Sequence, residues 1–424
     1  MMKGFQSTDI GLIPEDWGCG RIDDYFNIQQ GKSVSKANRI GDNQKPFLRT
    51  SNLLWGKVTL DELDTLHFSQ EEEIKYSLAL NDLLVCEGGD IGRTAIWKNE
   101  MNDIYYQNHL HRVRAKVDDI DPAFILYWMQ YAFQFGKLYF GRANITTIPN
   151  LSKSRLSEFT IPKPPVPEQR KIAYILSTLQ KAIEQQDKLI RHTTVLKKAL
   201  MQKLFTEGTK GEKQKQTEIG RLPISWEVAT IIQLYDFTSK PRGLKVDLPV
   251  PFIPMEMVPL NERLITTYEL RDSLSSGTYV EEGDLLLAKI TPSFENGKQG
   301  FVKINKPYAY ATTEVIPIKS KENISDIDYL YYYLLKTEIR NQLTGKMEGS
   351  TGRQRLNKNV LEKTLIPMPS LQEQKEIANA FISLDNKISF YEKKKRILSA
   401  LFKSLLHELM TGKRRIHNLN FNIN

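Results

Sequence analysis

Cysteine is nearly missing from this chain. Cys19 and Cys86 are the only two in 424 residues, and neither has a thiol or imidazole at ligand spacing. That leaves no basis for a disulfide framework or a zinc site, and it suits a reducing, cytoplasmic compartment. No stretch approaches about 18 apolar residues, so no membrane span is expected. The opening Met1-Met2-Lys3-Gly4-Phe5-Gln6-Ser7 lacks the apolar core of a secretory signal.

Catalytic motifs are missing too. No Asn-Pro-Pro-Tyr or related tetrapeptide is present to grip an extruded adenine. Gly297-Lys298 is followed by Gln299, without the earlier glycine that a phosphate-cradling loop needs. Glu73-Ile74-Lys75 has the acidic-x-Lys end of a metal-dependent nuclease, but it lies in the charged run from Gln70 with no Pro-Asp partner upstream. His109 and His111 stand two apart with no accompanying carboxylate or thiol set. The expectation is a chain without catalytic residues, without a metal site and without a cofactor of its own.

Lys and Arg together number 59 against 50 Asp and Glu, a net charge of +9. This favours a polyanionic partner such as nucleic acid, although a solvated basic surface would give the same count.

What the chain does contain is a long internal repeat. Thr8-Asp9-Ile10-Gly11-Leu12-Ile13-Pro14-Glu15-Asp16-Trp17 returns as Thr217-Glu218-Ile219-Gly220-Arg221-Leu222-Pro223-Ile224-Ser225-Trp226. Pro46-Phe47-Leu48 meets Pro251-Phe252-Ile253, and Asp82-Leu83-Leu84 meets Asp284-Leu285-Leu286. Ile161-Pro162-Lys163-Pro164-Pro165-Val166-Pro167-Glu168-Gln169 parallels Ile366-Pro367-Met368-Pro369-Ser370-Leu371-Gln372-Glu373-Gln374. The shift drifts from 209 to 202 and back to 205, as loop insertions and deletions would make it. A period near 205 is far longer than a solenoid unit, so the repeat is a whole domain plus a helix.

Each proline-rich stretch punctuates the end of a globular domain. Heptads follow it. Ile172, Leu179, Gln186, Thr193 and Leu200 mark the first set, joined by Leu176, Leu196 and Leu204 among others. Ile377, Leu384, Tyr391, Leu398 and Leu405 mark the second, joined by Phe381, Ile388, Leu401 and Leu409. Glycines at 208 and 412 supply the stops, giving rods of roughly 57 Å whose seams can bury one another. Ordinary long helices packed on their own domains would show the same periodicity.

The domains read as mixed α and β, with strands at 82–86 and 284–288 and helices at 124–129 and 329–335. The aromatic runs of those helices, at helical spacing beside Leu and Met, read as core before base-stacking platforms. The fold class is therefore α+β: two repeated domains separated by two long coiled-coil helices. The boundaries are 1–160, 161–210 for the first helix, 211–365, and 366–424 for the second helix and tail.

The copies keep their opening and helix segments and diverge between them. Identical heads read a palindrome, whereas unlike heads on one chain suit an asymmetric, split target. This organisation resembles the specificity subunits of Type I restriction-modification systems along essentially the whole chain. The resemblance rests on the paired Ile-Pro-x-Pro segments running into Glu168-Gln169 and Glu373-Gln374, the paired openings ending in Trp17 and Trp226, and the stretch from Asp284 to Lys298.

The resemblance implies two target recognition domains in inverted orientation, held apart by antiparallel helices. It implies double-stranded DNA as ligand, two modification subunits that bind S-adenosylmethionine and methylate adenine, and two ATP- and Mg-dependent restriction subunits. The chain itself would be non-catalytic. A specificity subunit serving a fused-nuclease system of the Type II kind, or a coiled-coil scaffold that never touches DNA, are the alternatives.

Direct readout needs Arg or Lys for guanine and Asn or Gln for adenine. In the first copy Gln30, Lys32, Arg49, Ser51, Asn52, Arg93, Asn108 and His109 are candidates, followed by Arg142, Asn144, Thr146 and Thr147 before the proline boundary. The second offers Lys240, Arg242, Lys245, Lys289, Thr291, Asn296, Lys298, Thr313 and Glu314, then Ser350, Thr351, Arg353 and Arg355. These loops, polar and Gly-rich, also suit backbone contacts to phosphates.

Overall fold

The computed structural model describes residues 4–136, 138, 150–350 and 352–416. It comprises two units, one of Met1–Asp187 with Lys393–Asn424 and one of Lys188–Glu392. The long helices, Val166–Glu207 and Leu371–Met410, each contribute to both.

In the first unit a hairpin, Phe5–Thr8 with Gly11–Pro14, leads to Trp17 and the strand Gly18–Arg21. That strand pairs with Thr160–Lys163, so the domain leaves beside where it began, with Pro162 on a two-stranded ladder that tolerates a missing donor. Between them lie a four-stranded sheet, ordered Thr94–Ile96, Leu83–Cys86, Leu110–Ala115, Phe26–Gln30, and a three-stranded sheet, ordered Tyr105–Tyr106, Gln44–Leu48, Asp64–His67. The aromatic helix Pro122–Gln130 is capped by Asp121 and buries Phe124 through Met129. As read from the sequence, it is core.

The second unit repeats this plan. Gln214–Thr217 and Gly220–Pro223 form the hairpin, and Glu227–Thr230 pairs with Leu365–Met368. Its larger sheet gains a fifth strand, Leu264–Ile265, beside Gln299–Val302, and its helix Ile327–Leu334 buries Tyr329 through Leu334.

Within each unit the long helices run antiparallel. Ile172 and Leu176 share a core with Phe402, Leu406 and Leu409 in the first unit; Phe205 stacks on Phe381, 5.7 Å between ring centroids, in the second. Pro167 sits in the opening turn of its helix, where no donor is lost, and Gly208 and Gly412 take positive φ just past the ends. The heptad seam is fully apolar only toward the helix ends. Leu196 and Leu401 are 49% and 44% exposed, and the ion pairs Lys197–Asp385 and Lys395–Asp187 lie in the middle stretch.

A duplicated clamp joins helix to domain. Trp17 Nε1 donates to Glu168 Oε2 and Trp226 Nε1 to Glu373 Oε2, both at 3.1 Å. The amides of Gln169 and Gln374 then bond to Asp121 N and Pro164 O, and to Asp326 N and Pro369 O, respectively. The residues that recur most plainly in the sequence are these clamps.

Candidate nucleic-acid interface

In the first copy the sheet formed around Leu83–Cys86 ends in a polar node. Glu87 N donates to His109 O at 2.9 Å, and Leu151 N to Glu87 O at 2.8 Å. The Gln30 amide bonds to Glu87 Oε2 at 3.1 Å and to Asn108 O at 3.0 Å. Gly31 is required beside it: a Cβ there would lie 2.2 and 2.4 Å from the carbonyl oxygens of Gln107 and Tyr106. Thus Gln30, Asn108 and His109 come together, with Glu87 as their shared partner.

Arg93 bridges two loops, donating to Thr50 O at 2.8 Å and to Asp90 at 3.2 Å, which brings Ser51, exposed, into the neighbourhood. Arg49 turns instead to Asp64 and the carbonyl of Glu62. Lys32 and Asn52 turn inward. Lys32 Nζ, buried, bonds to Glu72 and to His67 O and lies 5.0 Å from the Phe68 ring centroid. Asn52 accepts from Arg49 N and donates to Asp61 O, closing a short 3-10 turn. Arg142, Asn144, Thr146 and Thr147 lie outside the described residues.

The second copy builds the same node with other side chains. Lys289 N donates to Glu314 O at 2.9 Å and Leu356 N to Lys289 O at 2.7 Å, the bonds made by Glu87 and Leu151 in the first. Alongside runs an exposed two-stranded ribbon, Glu348–Ser350 with Arg353–Arg355. It is stitched to the sheet end: Thr291 N donates to Gln354 O, and Gln354 N to Thr291 Oγ1. Arg355 Nε and Nη2 grip Glu314 Oε2 and Oε1 at 3.0 and 2.6 Å. The Arg355 hydrogen bond, followed by the nearby charges of Lys289 and Arg353, outweighs burial and holds the Glu314 carboxyl below its ordinary range.

Lys289, Thr291, Glu314, Ser350, Arg353 and Arg355 are therefore brought together, while Thr351 lies outside the described residues. Asn296 and Thr313 are exposed on flanking turns, and Lys298 bonds to Met255 O. Lys240, Arg242 and Lys245 form a separate exposed stretch, tied in by Lys240 over the Tyr310 ring.

One functional support was not foreseen. Arg340, buried, donates to Phe294 O and Gln299 Oε1 and stacks over Phe294, pinning the 290–298 turn from below. Burial pushes its guanidinium down to about 10. Of the catalytic lookalikes, Glu73 bonds to Asn43 on a short helix capped by Ser69, and His111 is buried against Leu151 O, away from exposed His109. Among the described residues no His, Cys, Asp and Glu cluster suits a metal, and no helix is long and apolar enough to cross a membrane.

Two copies of one α+β domain, each clamped to a long helix and each presenting a differently furnished polar node, define a duplicated recognition protein. The model of the Type I restriction modification DNA specificity domain matches residues 14–191 and again 223–399, and the chain belongs to this family. The putative type I restriction enzyme MjaX specificity subunit of Methanocaldococcus jannaschii is 27% identical, over 98% of this chain and 97% of its own. The MjaVIII specificity subunit of the same organism is also 27% identical, over 96% and 95%. In fold, the chain is similar to the Type I restriction-modification S subunit of M. genitalium, with a TM-score of 0.58 at 18% identity over 93% of this chain and 96% of that one.

Proposed function

We propose that this specificity subunit reads an asymmetric, two-part DNA target, one half-site per copy across a fixed gap. It directs adenine methylation and restriction carried out by partner subunits, and performs no chemistry itself. The observation that carries this is the contrast between frame and furnishing. Clamps, paired opening and closing strands and node backbone bonds recur in both copies, whereas the side chains at the node change from Glu87 and His109, joined by Gln30, to Lys289 and Glu314, joined by Arg355. A constant frame with changed hydrogen-bonding groups is what two unlike half-sites require.

Two modification subunits carrying S-adenosylmethionine dock along the long helices, and two ATP- and Mg-dependent restriction subunits complete the assembly. Apolar side chains exposed on those helices, Tyr174, Ile397 and Leu401 in the first unit and Val195 and Phe390 in the second, suit partner helices.

Co-expression with the cognate modification subunit, followed by genome-wide mapping of methyladenine, tests the reading. A split asymmetric motif should appear, vanish when this chain is omitted, and change in one half only when residues 1–150 are exchanged for those of a relative. Methylation that persists unaltered without the chain would overturn it and favour a scaffold.

A further inference from the structure

Resting on that reading, the geometry points to Arg355, held by Glu314, as the guanine-reading side chain of the second copy. The major groove admits a two-stranded ribbon, and Glu348–Ser350 with Arg353–Arg355 is one, exposed along most of its length and fixed at its base to residues 289–291. Arg355 stands at the ribbon's root, where its strand rejoins the sheet through the bridge to Ile290.

A guanidinium carries five hydrogens. Glu314 takes one from Nε and one from Nη2. Both Nη1 hydrogens and the second Nη2 hydrogen remain, and the parallel pair among them at the end of the fork matches the O6 and N7 acceptors of guanine. The carboxylate thus orients the fork and restrains a rotamer-rich side chain before DNA arrives, which lowers the ordering cost of recognition. Lys289 beside Glu314 keeps the cluster net positive against the phosphates.

Among its described residues the first copy places other groups here. Leu151 and Leu356 make the same backbone bond, which sets Asn150 in the place of Arg355, and His109 stands in the place of Glu314. An amide there suits adenine, so the two copies diverge at this node in the base they accept.

The test is binding of the full chain, assembled with its modification subunit, to a panel of duplexes in which each base pair of the motif is replaced in turn. Arg355→Ala should abolish the penalty for replacing one G·C pair, in the half-site read by residues 214–368, a loss of roughly 5- to 150-fold in discrimination. Arg355→Gln should move the preference at that pair toward A·T. Glu314→Gln should weaken the same discrimination while raising affinity for all sequences.

A uniform loss of affinity in Arg355→Ala, with every base penalty intact, would make Arg355 a phosphate contact and overturn the proposal. So would penalties altered in the other half-site. In both cases the wild-type protein still discriminates, so the specificity role stands. A wild-type assembly without any base penalty would instead defeat that role.

Discussion

Trp17 donates its indole hydrogen to Glu168 across 151 residues of chain, and the carboxylate is shared with Arg415 of the tail, whose fork also holds Asp16. Trp226 and Glu373 repeat the contact, with Thr209 and Lys210 in the tail's place. One buried carboxylate per copy therefore fixes three segments: the opening of the domain, the start of one long helix and the chain leaving the other.

Replacing Glu168 by Ala strands the Trp17 N–H and half of the Arg415 fork. The expected cost is about 3 kcal/mol, within the range for breaking a buried, hydrogen-bonded charge pair. Urea unfolding followed by tryptophan fluorescence measures it. A loss below about 1 kcal/mol would show that Asp16 alone suffices for Arg415.

Among the described residues no carboxylate pairs with buried Arg340, so its charge is costly while its stem and its bonds to Phe294 O and Gln299 hold the 290–298 turn. Arg340→Ala should lose roughly 2–4 kcal/mol through a cavity and an unsatisfied Gln299. Arg340→Met, which fills the space and removes the buried charge, should lose clearly less. Hydrogen exchange across residues 290–298 should quicken in both variants, because neither restores the bond to Phe294 O.

Asp284 and Asp82 occupy matching places, but Arg114 grips Asp82 in the first copy, whereas Lys319, at the equivalent position, pairs with Glu281 in the second. Among the described residues Asp284 accepts hydrogen bonds from Thr238 and the Glu281 N–H, and burial pushes its carboxyl up to about 6. The folded state therefore holds this proton more tightly than the unfolded chain does. Stability from this group is fully present below about pH 4 and is lost as pH rises through 6, a change of at most about 3 kcal/mol. The second unit should grow more stable as pH falls from 7 toward 5, and Asp284→Asn should flatten that slope in urea titrations.

At Glu373, burial pulls the carboxyl up, but bonds from Thr209 and Trp226 and the Lys210 charge more than offset it. Its contribution is present above about pH 4.5 and is lost on further acidification. Falling pH therefore gains stability through Asp284 and loses it through Glu373.

The repeat, the long helices and the clamp residues were legible in the sequence because they are carried by local, recurring signals. Glu168-Gln169 and Glu373-Gln374 stand within a few residues of the prolines that follow a strand, at the start of a 3.6-residue period. The inward turn of Lys32 and Asn52 was not legible. Lys32 sits in a polar Gln-Gly-Lys segment that reads as a loop, and only its pairing with Glu72, 40 residues on, takes it inside. The Arg355–Glu314 and Arg340–Gln299 contacts likewise join residues about 41 apart, beyond any periodicity.

Lys32 and Arg353 therefore separate two roles that charge alone cannot. Lys32→Met should cost about 1–2 kcal/mol, since Glu72 and His67 O lose a donor, and should leave the salt dependence of DNA binding unchanged. Arg353 is exposed on the ribbon beside Arg355. Arg353→Ala should leave urea stability within about 0.5 kcal/mol of wild type and lower the slope of log K against log salt by about 1. If instead Lys32→Met reduced the slope, the lysine would have to leave its pocket under Phe68 on binding, and the closed arrangement of that loop would not be the one that meets DNA.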